Sequence, residues 1–140
     1  MAEFIWKDLV KKQGLLEEYP CASCATSTEE IWGNVGNPVY PPARAELAHH
    51  GIDCGGKRAV QLARADYAKY DYLVCMDDRN VKNALRLLGG DPDEKLCKLM
   101  DFTDRGGDVA DPWYTGNFTV TYRDVLDGCN ALLSFLSQLG

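Results

Sequence analysis

The stretch of sequence that decides the fold is Tyr72-Leu73-Val74-Cys75-Met76-Asp77-Asp78. Its first five residues form a continuous apolar run of strand length, which predicts a strand covered on both faces. Asp77 and Asp78 can cap a helix that runs to about Leu88, where Gly89-Gly90 ends it. A buried strand followed at once by a helix is typical of an α/β domain with a parallel sheet.

Helices and short strands alternate on both sides of this stretch. The apolar spacing predicts a helix over 3–13, a short strand over 19–25, a loop rich in Gly, Asn and Pro over 32–42, and a helix over 43–50. Residues 96–100 form a second apolar strand candidate, and the apolar face that begins at Phe118 predicts a long C-terminal helix. We therefore expect one domain over 1–140, a three-layer α/β/α arrangement with a short parallel sheet.

Composition excludes several classes of function. The formal net charge is -6 and no basic stripe is present, so nucleic acid is not an expected partner. No stretch reaches the ~20 apolar residues of a membrane helix, and the N-terminus does not resemble a signal peptide, which favours a cytoplasmic protein. The six cysteines, with Cys75, Cys97 and Cys129 in apolar runs, are expected to be free thiols. We expect no metal and no cofactor.

An acidic loop follows the second strand candidate, between Asp101 and Gly116. A parallel sheet presents such a loop at the edge where ligands bind. Asp101, Asp104 and Asp108 are expected to be solvated loop carboxylates. Asp111 differs because Pro112 biases it toward an extended backbone, and because two aromatic residues follow. A carboxyl group beside an aromatic wall can donate a proton to a phenolate-like leaving group, so Asp111 is the candidate general acid.

Over nearly its whole length the chain resembles the low-molecular-weight protein tyrosine phosphatase family. No single motif is decisive, but the ordered set is specific. In chain order the matching segments are Met1-Ala2-Glu3, Ser23-Cys24-Ala25-Thr26, Trp32-Gly33-Asn34-Val35-Gly36, Pro42-Ala43-Arg44-Ala45, His50-Gly51-Ile52, Gln61-Leu62, Tyr70-Asp71-Tyr72-Leu73-Val74-Cys75-Met76-Asp77 with Asn80, and Asp111-Pro112-Trp113-Tyr114. One departure is Lys57, which stands where many members carry a histidine.

The resemblance implies hydrolysis of phosphotyrosine, in a protein or a small aryl phosphate, through a cysteinyl-phosphate intermediate. Asp111 matches the acid that protonates the departing oxygen. Three aromatic residues match the walls of the substrate pocket, namely Trp32, Trp113 and Tyr114. Two polar residues match supports of the phosphate loop, namely Ser23 and Asp77.

The family's nucleophile loop has no counterpart in these 140 residues. That loop reads Cys, five residues, Arg, Ser, Pro, and lies between the first strand and the first helix of family members. The sixth residues after the six cysteines are Ser27, Glu30, Val60, Val81, Thr103 and Phe135. We therefore expect the first, central strand of the sheet to be missing by N-terminal truncation. Such a chain is expected to be inactive by itself, and its unpaired strand edges favour strand-exchanged oligomers.

Three readings stay open. The first is a tyrosine phosphatase whose start was placed too late, at an internal methionine. The second is a non-catalytic module, or pseudophosphatase, that binds phosphotyrosine-like ligands through the aromatic slot. The third is an arsenate reductase, which shares this fold and relays electrons through further cysteines. This third reading is disfavoured because no cysteine occurs between Met76 and Cys97.

Overall fold

The computed structural model describes residues 1–26, 31, 32, 35, 36, 41–54, 60–110 and 116–139, with backbone only at 31, 32, 35 and 36. Helices in these ranges are α1 (Ala2–Lys12), α2 (Pro41–His49), α3 (Arg64–Lys69), α4 (Asp78–Leu88) and α5 (Phe118–Leu139), with a 3-10 helix at Leu99–Phe102. Strands are β1 (Ile31–Trp32), β2 (Val35–Gly36), β3 (Leu73–Cys75) and β4 (Leu96–Lys98).

The strands pair in short units. β3 and β4 are parallel, with Leu73 opposite Leu96 and Cys75 opposite Lys98. Ala25 forms an isolated parallel bridge with Gln61, and β1 pairs with β2 in antiparallel fashion. The expected α/β architecture with a short parallel sheet is confirmed, and the expectation of a missing central strand stays a prediction.

Two expected strands are shorter than the sequence indicated. In the segment 19–25 the described pairing is confined to the bridge at Ala25. The strand expected over 96–100 stops at Lys98, because the chain turns into the 3-10 helix. In that helix two consecutive side chains, Leu99 and Met100, are buried in the main core.

Helix α4 begins and ends as the sequence predicts. The Asp77 side chain accepts a hydrogen bond from the Asn80 N–H at 2.8 Å, which satisfies one of the free donors at the helix start. Gly89 ends the helix with φ of 77°, a left-handed conformation that glycine adopts without strain. Helix α4 therefore follows β3 after a short connection, and the carboxyl end of β3 lies next to the first turn of α4.

The main core lies where α1, α5 and the 3-10 helix meet. Ile5 and Val10 of α1 pack in one cluster with Leu99 and with Val125 of α5. Gly128 lets α5 approach the 3-10 helix, because a Cβ at this position would lie 2.4 Å from the Leu99 Cγ. The expected amphipathic helices at the two ends of the chain are confirmed, and their apolar faces bury each other.

The first turns of α5 are also bonded to α2. The Glu46 carboxylate accepts a hydrogen bond from the Thr119 hydroxyl at 2.6 Å and contacts the His50 ring nitrogen at 2.8 Å. The His50 ring stacks on Tyr122 with centroids 3.6 Å apart. These contacts fix the beginning of α5, which carries two of the side chains that hold the acidic loop.

In the ranges described, none of the helices is both long and apolar enough to cross a bilayer.

Candidate active site

The carboxyl end of β3 is held by one asparagine. The Asn80 side-chain oxygen accepts a hydrogen bond from the Met76 N–H at 3.1 Å, while its amide nitrogen lies 3.4 Å from the Thr26 hydroxyl. Asp77 in turn bonds the Asn80 backbone N–H. Through Asn80 these contacts join the end of β3 to Thr26, the residue after the Ala25 bridge.

Ser23 is bonded to the first turn of α1. Its hydroxyl donates to the Glu3 carboxylate at 2.6 Å, and Lys7 bonds the other carboxylate oxygen at 2.6 Å. Glu3 is only 6% exposed, so its charge is compensated by these partners rather than by bulk water. The contact of Ser23 with Glu3 was not predicted, although the i,i+4 spacing of Glu3 and Lys7 indicated an ion pair.

The acidic loop is tied to the end of β4 by an ion cluster. The Lys98 ammonium lies 2.9 Å from the Asp108 carboxylate and 3.0 Å from that of Asp78. These two acids raise the pKa of Lys98 above its ordinary value, with the Asp108 hydrogen bond as the largest cause. Asp108 also accepts from the Asp78 N–H at 3.2 Å. Asp108 is exposed, as expected of a loop carboxylate, and the ion pair with Lys98 is an additional contact that the sequence did not predict.

Val109 and Ala110, the two loop residues that directly precede residue 111, are fixed through their backbones. The Val109 N–H donates to the Met76 carbonyl at 2.9 Å. The Ala110 N–H donates to the Asp124 carboxylate at 2.9 Å, and the Ala110 carbonyl accepts from the Thr121 hydroxyl at 2.8 Å. The Asp124 and Thr121 side chains belong to α5 and are buried, at 8% and 7% exposure. The chain is thus anchored at the end of β3 and on α5 immediately before residue 111.

The described residues include only part of the predicted site. Ser23 and Asp77 lie on the elements described above. Asp111, Trp113 and Tyr114 lie outside the described residues, as does the side chain of Trp32, whose backbone ends β1. The anchors Thr121 and Asp124 were not predicted. The available signal was their position on the buried face of α5, in line with Val125 and Gly128.

Three of the thiols, in Cys75, Cys97 and Cys129, do not have the properties of nucleophiles. Burial raises the pKa of Cys75 to about 12, of Cys97 to about 11 and of Cys129 to about 12. A cysteine nucleophile requires the opposite shift, because the thiolate is the attacking species. Across the part of the chain that the structure describes, no three His, Cys, Asp or Glu side chains are grouped as metal ligands.

The fold and these contacts define an α/β domain with a candidate site at the carboxyl end of a parallel strand. Residues 1–139 match the family described as "Low molecular weight phosphotyrosine protein phosphatase". The chain belongs to this family, whose members are hydrolases of the protein tyrosine phosphatase class.

Relatives and solved structures agree with this assignment. The chain is 30% identical to the low-molecular-weight protein-tyrosine-phosphatase YfkJ of Bacillus subtilis over 140 residues, covering 99% of this chain and 87% of the relative. A phosphatase of Sus scrofa is 32% identical over 149 residues, covering 95% and 84%. The crystal structure of YfkJ matches with a TM-score of 0.89 at 29% identity, covering 98% of this chain and 85% of that one. A Streptococcus pyogenes phosphatase structure matches with a TM-score of 0.82 at 32% identity, covering 96% and 82%.

Proposed function

We propose that residues 1–140 carry the general-acid half of a phosphotyrosine phosphatase active site, with Asp111 as the acid. The observation that carries this proposal is the anchoring of Val109 and Ala110 to the end of β3 and to α5. An acid must be held within hydrogen-bond reach of the leaving oxygen, so a fixed backbone just before Asp111 supports that role. The substrates would be phosphotyrosine in proteins or small aryl phosphates.

In the proposed reaction a cysteine thiolate attacks phosphorus and forms a cysteinyl-phosphate, while the bond between phosphorus and the aryl oxygen breaks. Asp111 gives its proton to that oxygen, so that a neutral phenol leaves. Trp32, Trp113 and Tyr114 are the proposed aromatic walls of the pocket that receives the ring. Ser23 and Asp77 are the proposed supports of the phosphate loop, and their bonds to α1 and α4 suit residues that must hold a neighbouring loop in place.

The nucleophile would have to come from residues other than these 140. No cysteine in the sequence is followed six residues later by arginine, and the buried thiols of Cys75, Cys97 and Cys129 have raised pKa values. A phosphate loop supplies backbone N–H groups and an arginine, which bind the dianion and lower the thiol pKa. Acid assistance alone contributes on the order of 10²–10⁴-fold and replaces none of this. We therefore expect residues 1–140, purified alone, to be inactive toward aryl phosphates.

The test is a chain in which residues 1–140 are preceded by a first strand and a phosphate loop of the family pattern, Cys, five residues, Arg, Ser and Pro. We call this the loop-extended chain. It should hydrolyse p-nitrophenyl phosphate, whereas residues 1–140 should not. Replacing the added cysteine by serine should abolish turnover, and Asp111→Asn should lower it on the order of 10²–10⁴-fold.

Two results would contradict the proposal. One is a loop-extended chain that folds, binds an aryl phosphonate and yet does not turn over, which would favour the non-catalytic binding module. The other is an Asp111→Asn variant that keeps full activity. The matched control is Asp104→Asn, because Asp104 is an exposed carboxylate of the same acidic loop and should be replaceable without loss of activity.

A further inference from the structure

The start of α5 buries two polar side chains on a face that is otherwise apolar. Thr121 and Asp124 are 7% and 8% exposed, and they share this face with Val125 and Cys129. A buried hydroxyl or carboxylate is costly unless it is hydrogen-bonded. Both side chains are bonded to one residue, Ala110, which directly precedes the proposed general acid.

The two contacts act on the two sides of Ala110. Asp124 accepts from its N–H at 2.9 Å, and Thr121 donates to its carbonyl at 2.8 Å. The second Thr121 contact, to the Asn117 carbonyl, is longer at 3.4 Å, so the hydroxyl proton is directed mainly to Ala110. Because a peptide group is planar, a bond to the Ala110 carbonyl restricts the path by which the chain can enter residue 111.

Arg105 keeps the buried carboxylate of Asp124 compensated. One guanidinium nitrogen lies 3.1 Å from Asp124, and the other lies 3.1 Å from Asp127. Arg105 belongs to the same loop as Ala110, so the ion pair holds the loop to α5 at a second point. Asp127 makes the same kind of contact with Arg105 but is 61% exposed, and its carboxylate bonds Arg105, whereas that of Asp124 bonds both Arg105 and the Ala110 N–H. Asp127 therefore provides a matched control.

We propose that Thr121 and Asp124 are positioning residues for the Asp111 general acid, because together they fix both backbone polar groups of the residue that precedes it. This inference rests on the proposed function. It assigns to α5 a part in setting the geometry of proton transfer. A misplacement of about 1 Å can cost on the order of 10²-fold in rate, so loss of these bonds should be visible in kinetics.

The experiment compares leaving groups in the loop-extended chain. Phenolate is a poor leaving group that needs the proton, whereas dinitrophenolate leaves well without it. Thr121→Val keeps the shape of the side chain but removes the hydroxyl, and Thr121→Ser keeps the hydroxyl. We expect Thr121→Val to lower kcat/KM for phenyl phosphate on the order of 10–100-fold, with a change under about threefold for dinitrophenyl phosphate. Thr121→Ser should restore most of the loss.

Asp124 is tested in the same way. Asp124→Ala should give the same selective loss of kcat/KM for phenyl phosphate. Asp124→Asn should give a smaller loss, because its side-chain oxygen still accepts from the Ala110 N–H, and Asp127→Asn should give no loss. In residues 1–140, hydrogen exchange at the Ala110 amide should be faster in Asp124→Ala than in Asp127→Asn. If Asp124→Ala does not fold, Thr121→Val decides the matter, since it alters neither charge nor volume.

The outcomes separate the two claims. An inactive loop-extended chain with otherwise unchanged residues overturns the proposed function, and the positioning role with it. The positioning role alone is overturned if the loop-extended chain is active but Thr121→Val and Asp124→Ala lower kcat/KM equally for both substrates, or for neither. Equal loss would mean that the two residues support the fold in general rather than the acid.

Discussion

The close approach of α5 to the 3-10 helix can be tested by Gly128→Ala. A Cβ at residue 128 would lie 2.4 Å from the Leu99 Cγ and 2.8 Å from its Cδ2, whereas carbon atoms in contact lie about 3.5–4.0 Å apart. Leu99 is only 2% exposed and is surrounded by core residues. The leucine branch point therefore cannot move away without disturbing the core, and the added methyl group must be accommodated by strain.

The expected magnitude follows from two opposing effects. Alanine in a helix interior is favoured over glycine by roughly 0.5–1 kcal/mol because it loses less backbone entropy. Overpacking a filled core costs about 1–3 kcal/mol. The two effects leave a net loss of about 0–2.5 kcal/mol, and because the blocking atom at 2.4 Å is the Leu99 branch carbon, we expect Gly128→Ala to lower the free energy of unfolding by about 1–2 kcal/mol. With a urea m value of about 2 kcal/mol/M, the midpoint should fall by about 0.5–1 M.

The assay is urea unfolding of the loop-extended chain, followed by circular dichroism, in four variants. Leu99→Ala alone should cost about 2–5 kcal/mol, because it leaves a cavity. In that background Gly128→Ala should be neutral or stabilising, since the methyl group then has space. Ser134→Ala, on the exposed side of the same helix, should change stability by less than about 0.5 kcal/mol. The reasoning is refuted if Gly128→Ala raises the midpoint while Leu99 is present.

Three further predictions concern caps, thiols and pH. Asp77→Ala should lower the free energy of unfolding by about 1 kcal/mol through loss of the α4 cap, and Asp77→Asn by less, as measured in the same urea assay. Cys75 and Cys129, whose pKa values burial raises to about 12, should react with iodoacetamide at pH 7 only on unfolding, as followed by mass spectrometry; fast labelling of either of these two residues in the folded chain would contradict this. The Thr119 hydroxyl, with His50, lowers the pKa of Glu46 below its ordinary value of 4.5, so its stabilisation is present above that value and is lost as the pH falls through the folded pKa. Wild type should therefore lose more stability than Glu46→Gln between pH 6 and pH 3, and equal losses would count against the contact.

The elements that the sequence predicted well are those with local signals. Helix α4 has a capping aspartate at Asp77 and a left-handed glycine at Gly89, and both signals lie within the segment itself. Helix α5 shows an apolar face over many turns. Helix α3 was missed because none of its side chains is buried, so it has no apolar periodicity to detect. Its position depends instead on contacts such as that of Tyr67 with Asp91, which is distant in sequence.

The residues of the candidate site also differ in whether their signal is local in the sequence or depends on contacts with distant residues. Asp111 and its aromatic neighbours could be predicted because Asp, Pro and two aromatics are adjacent in the chain, and their role stays a prediction. Thr121 and Asp124 were missed because their role arises from the backbone of Ala110, more than ten residues away. An aspartate on the buried face of an amphipathic helix was nevertheless a readable signal, since such a carboxylate requires a partner. The ion pair of Asp108 with Lys98 was also missed, because it forms only when the loop folds back to the end of β4.

The most direct test of the central claim is one comparison of p-nitrophenyl phosphate hydrolysis, by residues 1–140 and by the loop-extended chain, each with and without Asp111→Asn. The account predicts no turnover by residues 1–140, turnover by the loop-extended chain, and a loss on the order of 10²–10⁴-fold when Asp111 is replaced. Hydrolysis by residues 1–140 at the rate of the loop-extended chain, abolished by Asp111→Asn, would contradict it, because these residues would then contain the nucleophile as well as the acid.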